Sequence, residues 1–335
     1  MKKIGWITGK KKLLRMAGLS LMGVLLLSGC GNTGKSAVAA ASSTSASETS
    51  NEAGKGSKVS QPAENVDAQV AEASLPQPGE AISASLTWKS RMELAYATQF
   101  AVDTYEDADG MQYEAVSVAD GSRFLLIPEG GKVPEDLPDS IQVLKRPVKQ
   151  IYLVATATMD MFRMLGALPD IRFSGTDASG WYIPEAKEAM ENGSILYAGK
   201  YSEPDYETLV DGDCDLAIES TMILHTPKVQ EMIEDLGIPV FVDYSSYESH
   251  PLGRTEWIKL YGALLNKEEE ADTFFDQQAH VIEELKGFEN TEKTVAYFYV
   301  STDGSIVVRK SDDYIPSMIE IAGGRYAFKD LKNPD

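Results

Sequence analysis

Apolar side chains are spread unevenly along the chain, and each change of rhythm predicts a change of structure. Met16 to Leu27 is almost uninterrupted by polarity. Twelve helical residues rise only about 18 Å, short of a roughly 30 Å hydrocarbon core, so residues 1–30 read as a secretion signal rather than a stable span. From Ser36 to about Ala84 large apolar residues nearly vanish. Such a stretch cannot bury enough surface to offset its ordering entropy, which predicts a disordered tether over residues 31–84. Alternation then sets in: Phe100, Val102 and Thr104 interleave with polar positions, and "MQYEAVSV" and "RFLLIP" flank a turn at Asp120-Gly121. Residues 85–147 therefore predict a small antiparallel β unit.

After Pro147, short apolar strands alternate with amphipathic helical patterns: "QIYLVAT" with "TMDMFRMLGAL", "IRFSGTD" with "IPEAKEAMENG", "DLAIES" with "TPKVQEMIEDLG", then "IPVFVDY". Repeated strand-helix units predict a parallel sheet covered by helices, an α/β lobe over residues 148–250. Over residues 251–290, Trp257, Leu260, Tyr261, Leu264 and Leu265, then Ala271, Phe274, Phe275, Ile282 and Leu285, recur near helical spacing. They predict a long linking helix, with a bend at Asn266 and Lys267. "KTVAYFYV" then predicts a buried strand opening a second α/β lobe over residues 291–335, and "IPSMIEIAGG" a helix stopped by Gly323 and Gly324.

Charge and cysteine content sharpen this picture. The first thirty residues carry Lys2, Lys3, Lys10, Lys11, Lys12 and Arg15 and no acid, whereas the whole chain has a net charge of -20. The chain without its basic start is more acidic still, which argues against nucleic acid as a partner. Only Cys30 and Cys214 are present. Leu27-Ser28-Gly29-Cys30 resembles the bacterial lipobox, which implies acylation of Cys30 and anchoring to the outer face of a bacterial membrane, with a Gram-positive source expected. Cys214 then has no partner for an internal disulfide. "GCGNTGKS" at residues 29–36 satisfies a nucleotide-loop pattern, but neither a strand precedes it nor a helix follows, so nucleotide binding is not expected.

Ligands of parallel sheets gather beyond the carboxyl ends of the strands. The loops there are residues 155–158, 176–182, 199–201, 219–222 and 243–250. Trp181, Tyr182, Tyr201, Tyr244 and Tyr247 supply flat apolar faces, and Lys200, Ser220, Thr221, Ser246 and His250 supply polar handles. That combination suits a sizeable, partly aromatic or chelated small molecule. His225, His250 and His280 show no paired metal-ligand spacing, and GxSxG and CxxC motifs are absent. Neither an enzyme nor an intrinsic cofactor is expected; His250, beside tyrosines, is a candidate haem ligand.

The succession of lipobox, tether, "GIPVFVD", "SYESHPLGRTEWIKLYGALLNKEEEADTFFD", "TVAYFYVSTDG" and "YIPSMIEIAGGRYAF" resembles the substrate-binding lipoproteins of ABC importers for iron chelates, haem and cobalamin. The resemblance covers most of residues 85–335. It implies two Rossmann-like α/β lobes joined by a long helix, a monomer that holds a chelate between them and passes it to an ABC permease and its ATPase. A ferric siderophore is the expected ligand, with haem and cobalamin as others. An anionic siderophore would use Lys200 and Arg254; haem would use His250 or a tyrosine. "PDYETLVDGDCDL" matches the family's first docking motif and puts the permease contact on Glu207. Related proteins continue past "GGRYAF", so with the chain ending at Asp335 the expectation is either a fragment or an incomplete second lobe. A surface-displayed adhesive or sensory module is the alternative expectation, and a metal-dependent hydrolase a weaker one.

Overall fold

The computed structural model describes residues 75–286 and 293–330. The signal segment, Cys30 and most of the expected tether lie outside those residues. The tether's last stretch does not behave as one. Ile82 and Leu86 are buried, Ala84 N–H donates to the Asp136 carboxylate at 2.7 Å, and Pro76 O accepts from Arg91 at 2.8 Å. Two apolar residues and a handful of backbone contacts suffice to tie down a segment whose composition alone reads as flexible.

The first sheet has the order β1-β2-β3-β4-β5, made of Thr87–Arg91, Phe100–Glu106, Gln112–Val118, Arg123–Ile127 and Ile141–Lys145. The first four strands run antiparallel, and Gly121 (φ 91°) makes the turn between β3 and β4 at the predicted place. The fifth strand corrects the antiparallel expectation. It pairs with β4 in parallel, because residues 128–140 form a connection of the dozen or so residues that a return crossover needs. Alternation gives the sheet two apolar faces. One carries Phe100, Val102, Val116 and Phe124 into the main core; the other packs Tyr105, Tyr113, Leu125 and Ile141 beneath Ile82 and Leu86.

The second sheet follows the predicted strand-helix rhythm. Its elements are β6 (Ile151–Leu153), α1 (Thr158–Met164), β7 (Ile171–Ser174), α2 (Pro184–Glu191) and β8 (Leu196–Tyr197). A two-residue ribbon, β9 (Gly199–Lys200) with β10 (Glu203–Pro204), precedes α3 (Tyr206–Asp211), β11 (Leu216–Ser220), α4 (Pro227–Asp235) and β12 (Val240–Asp243). The sheet order is β12-β11-β6-β7-β8, and every pairing is parallel. Buried on both faces, the central strands read as near-continuous apolar runs.

Helix α5 (Pro251–Leu265) lies between the two sheets and is buried on nearly all sides. Trp257 meets Phe100 of β2 at 5.0 Å and Phe241 of β12 at 6.2 Å, edge to face in both cases. Two carboxylates fix the approach. Glu256 accepts from the backbone N–H groups of Ala95, Tyr96 and Ala97 at 2.7–2.8 Å, and Glu248 from those of Thr98 and Gln99 and from the Trp257 indole. The expected single linking helix is two helices. Asn266, in the left-handed region (φ 54°), ends α5, and α6 (Glu268–Leu285) packs against it with Gly262 facing Ala271.

The carboxyl-terminal segment holds β13 (Lys293–Val295), β14 (Phe298–Val300), β15 (Ile306–Val308), α7 (Tyr314–Ile321) and β16 (Gly324–Tyr326). Strand β13 pairs with β16 in parallel and β14 with β15 as a hairpin. The helix ends before Gly323 and Gly324 as predicted. The buried strand does not follow: Phe298, Tyr299, Val300 and Ile306 are 51–66% exposed. A two-stranded ribbon has no second layer of its own with which to cover such a face. Among the described residues no helix is long and apolar enough to cross a membrane.

Candidate functional site

Because all strands of the second sheet are parallel, the loops after β6, β7, β8, β11 and β12 leave from one edge. Asp243, the last residue of β12, organises that edge. Its carboxylate accepts from Ser245 N–H at 2.8 Å, from the Thr158 hydroxyl at 3.2 Å and from the Tyr261 hydroxyl. One side chain thereby ties the β12 loop to the start of α1 and to α5. Burial, then the neighbouring Asp243 charge, pushes the Tyr261 phenol well above its ordinary value, so it stays a neutral donor.

The expected ligand residues divide into three groups. Tyr182 is 75% and Tyr247 53% exposed, Ser246 is exposed, and Tyr201 is half-buried. These present open surface at the edge. Ser220, also half-buried, accepts from Met222 N–H at 3.4 Å and caps the turn that Thr221 begins. Trp181 and Tyr244 are corrections, since both are buried. The Trp181 indole N–H is shared between Ser174 Oγ and Thr176 O at 3.1 Å each, and Tyr244 is covered by Tyr247, with ring centroids 5.4 Å apart.

The remaining candidates already hold partners. Lys200 pairs with Glu203 at 3.1 Å across the β9–β10 ribbon. His250 caps α5 through Nδ1, accepting from Leu252 N–H at 3.1 Å, and its ring stacks on Tyr96 at 4.4 Å. Burial pushes its pKa down, so the ring is neutral. Arg254 donates to Ser246 O and lies 3.4 Å over the Tyr314 ring, joining α5 to α7. His225 is exposed after β11, and His280 faces Glu284 along α6 at 3.4 Å. No cluster of three or more metal-ligating side chains occurs among the described residues. Burial drives the Cys214 thiol up to about 12, which makes it a poor nucleophile. Glu207 stands exposed in the first turn of α3, a helix capped by Asp205.

Pattern reasoning missed Asp243, Glu248, Glu256 and Glu219, all buried acids. For Glu219 and Asp243 the one sequence signal is an acid in an apolar run, "LAIES" and "VFVD"; Glu248 in "SSYESHP" and Glu256 in "GRTEWIK" carry none. Glu219 is the unusual member: it lies beside Val242 in the parallel register, neither carboxylate oxygen has a hydrogen-bond partner among the described residues, and burial pushes its pKa up to about 8.

A family model described as periplasmic binding protein matches residues 153–333, more than half of the chain. Uncharacterized lipoprotein MJ0878 of Methanocaldococcus jannaschii is 25% identical over 277 residues, covering 77% of this chain and 65% of the relative. Uncharacterized lipoprotein MJ0872 of the same organism is 24% identical over 229 residues, covering 65% and 57%. The chain thus spans less than two thirds of the length of these relatives. Among solved structures, a possible iron-binding (periplasmic solute-binding) protein from Staphylococcus epidermidis aligns with a TM-score of 0.44 at 20% identity, covering 55% of this chain and 69% of that one. The periplasmic heme-binding protein HutB of Vibrio cholerae aligns with a TM-score of 0.44 at 18% identity, covering 53% and 65%.

Proposed function

The chain belongs to the periplasmic binding protein family, and from that premise we propose that it is the solute-binding component of an ABC importer for a metal chelate. The chelate sits at the carboxyl edge of the parallel sheet and is handed to a membrane permease. The observation that carries this reading is the set of open tyrosines there: Tyr247 on the loop that Asp243 anchors, Tyr182 beside the Trp181 held by Ser174 and Thr176, and half-buried Tyr201. Aromatic faces left open on anchored loops suit a flat or ring-bearing partner. A ferric siderophore is the first candidate cargo, with haem and cobalamin next. With His250 Nδ1 engaged in capping, a haem iron would be met by a tyrosine; an anionic siderophore would compete with Glu203 for Lys200 and with Tyr314 for Arg254. Glu207 is the proposed permease contact on this lobe. The two archaeal relatives are named lipoproteins, which supports an extracytoplasmic protein held by acylated Cys30. The family's role is to bind solute, and no turnover is proposed.

Fluorescence titration with haem, ferric siderophores and corrinoids, corrected for ligand absorption, tests the reading. One chelate is expected to quench saturably. Replacing Tyr247 by Ala in a protein that still melts cooperatively is expected to weaken it about tenfold, the loss of one stacking contact of about 1.4 kcal/mol. A flat response to the whole panel would overturn the chelate assignment.

A further inference from the structure

The first sheet contains a cavity remote in sequence from the carboxyl-edge loops. It has a volume of about 330 Å3 and is lined by Leu75, Pro76, Glu80, Ser117, Val118 and Arg123 among others. Ser117 of β3 and Arg123 of β4 are direct cross-strand partners, so their side chains share one face. This is the face that carries Ala115 and Leu125 into the smaller core, and at its end the apolar lining gives way to polar groups. Two of those groups are unmet among the described residues: the Ser117 hydroxyl, on a residue 1% exposed, and the buried Arg123 Nε–H have no hydrogen-bond partner there. Buried donors left unmet are costly, and two of them on residues that line one cavity point to something that fills it.

The walls are fixed. Tyr105 donates to Glu80 O at 2.6 Å, and Arg123 Nη1 meets the Glu80 carboxylate at 2.7 Å. That contact uses Nη1 and leaves the buried Nε donor, on a residue that lines the cavity, unpaired among the described residues; the Nε edge of a guanidinium suits a carboxylate. A simple anion would also stand beside the negative Glu80. A ligand that carries an ammonium next to its carboxylate removes that repulsion, because a carboxylate accepts several hydrogen bonds and Glu80 has capacity beyond Arg123. Leu75, Pro76 and Val118 supply an apolar wall for a side chain. The volume lies at the small end of ligand pockets.

We propose that this cavity, lined by none of the carboxyl-edge ligand candidates, is a second ligand site for a small zwitterion of the free α-amino acid class. The ligand's carboxylate lies on Arg123 and Ser117 and its ammonium on Glu80. Isothermal titration of the full chain in mild detergent with the common amino acids tests it, with propionate and ethylamine as the two halves of alanine. At least one amino acid is expected to bind saturably, with alanine's separate halves about tenfold or more weaker than alanine if alanine binds. Arg123→Met is expected to abolish binding. Ser117→Ala, which removes a hydroxyl that bonds nothing among the described residues, is expected to weaken binding while leaving the melting curve in place, so a folding defect cannot mimic the result. Tyr247→Ala is expected to bind amino acids normally. Absence of saturable binding by every amino acid, unchanged affinity in both Arg123→Met and Ser117→Ala, or equal affinity for propionate and alanine would each overturn the assignment.

Discussion

Glu219 is an acid inside an apolar sheet, without a hydrogen-bond partner among the described residues, and its protonation is a property of the fold. Its pKa of about 8 stands above the ordinary 4.5 of the unfolded chain. Between those values the folded protein holds a proton that the unfolded chain has released, so stability from this residue falls as pH rises. The slope is about 1.4 kcal/mol per pH unit through that window and levels off above it. Glu219→Gln, which stays neutral, is expected to remove the slope, so that its melting temperature gains on the wild type steadily from pH 5 to about pH 8; parallel profiles would show that the carboxyl is charged in the fold. Glu256, by contrast, is held by three backbone donors. Glu256→Ala strands those donors and is expected to cost about 3 kcal/mol in urea denaturation. Residue roles of this kind were barely legible in the sequence. Trp181 and Tyr182 are adjacent aromatics in one loop, yet the acceptors Ser174 Oγ and Thr176 O draw the first inward and leave the second in solvent. Neither acceptor announces itself in a hydropathy pattern.

Elements were far more legible, because burial period is a local property. The βα alternation from Ile151 to Asp243 and the Asp120-Gly121 turn follow from apolar spacing and turn chemistry alone. What escaped were features decided by distant partners: the parallel docking of β5 and the ordering of residues 75–86. The long helix was read with a bend at Asn266 and Lys267, and it divides there. An apolar stripe continues through Asn266, and only its left-handed backbone separates α5 from α6. The crossing of those helices depends on Gly262. A Cβ there would lie 2.7 Å from the Ala271 Cβ and 3.0 Å from Lys267 O. Gly262→Ala is therefore expected to force the helices apart and lower stability by about 1–3 kcal/mol, the cost of overpacking, measured by thermal or urea unfolding; an unchanged midpoint would mean that the crossing yields freely.

At the scale of the whole molecule, the strand-helix units and the β unit read from sequence as successive compartments, and the boundary between them falls near Pro147. Packing ignores that boundary. Val148 donates to Leu264 O at 3.0 Å, Arg146 reaches Glu114 of β3 and Glu268 of α6, and residues of both sheets contribute to one core. Chain patterns report which stretches are strands and helices; they carry no record of which faces share a core.

Helix α5 has an evolutionary consequence through its flanks. One side is roofed by Phe100 and its neighbours in the first sheet, the other by Phe241 in the second. Recombination that transplanted the parallel lobe alone would inherit a helix with a bare hydrophobic wall. A parallel lobe carried without the first sheet would need some other apolar surface over that wall, even though the family's own signature starts only at residue 153.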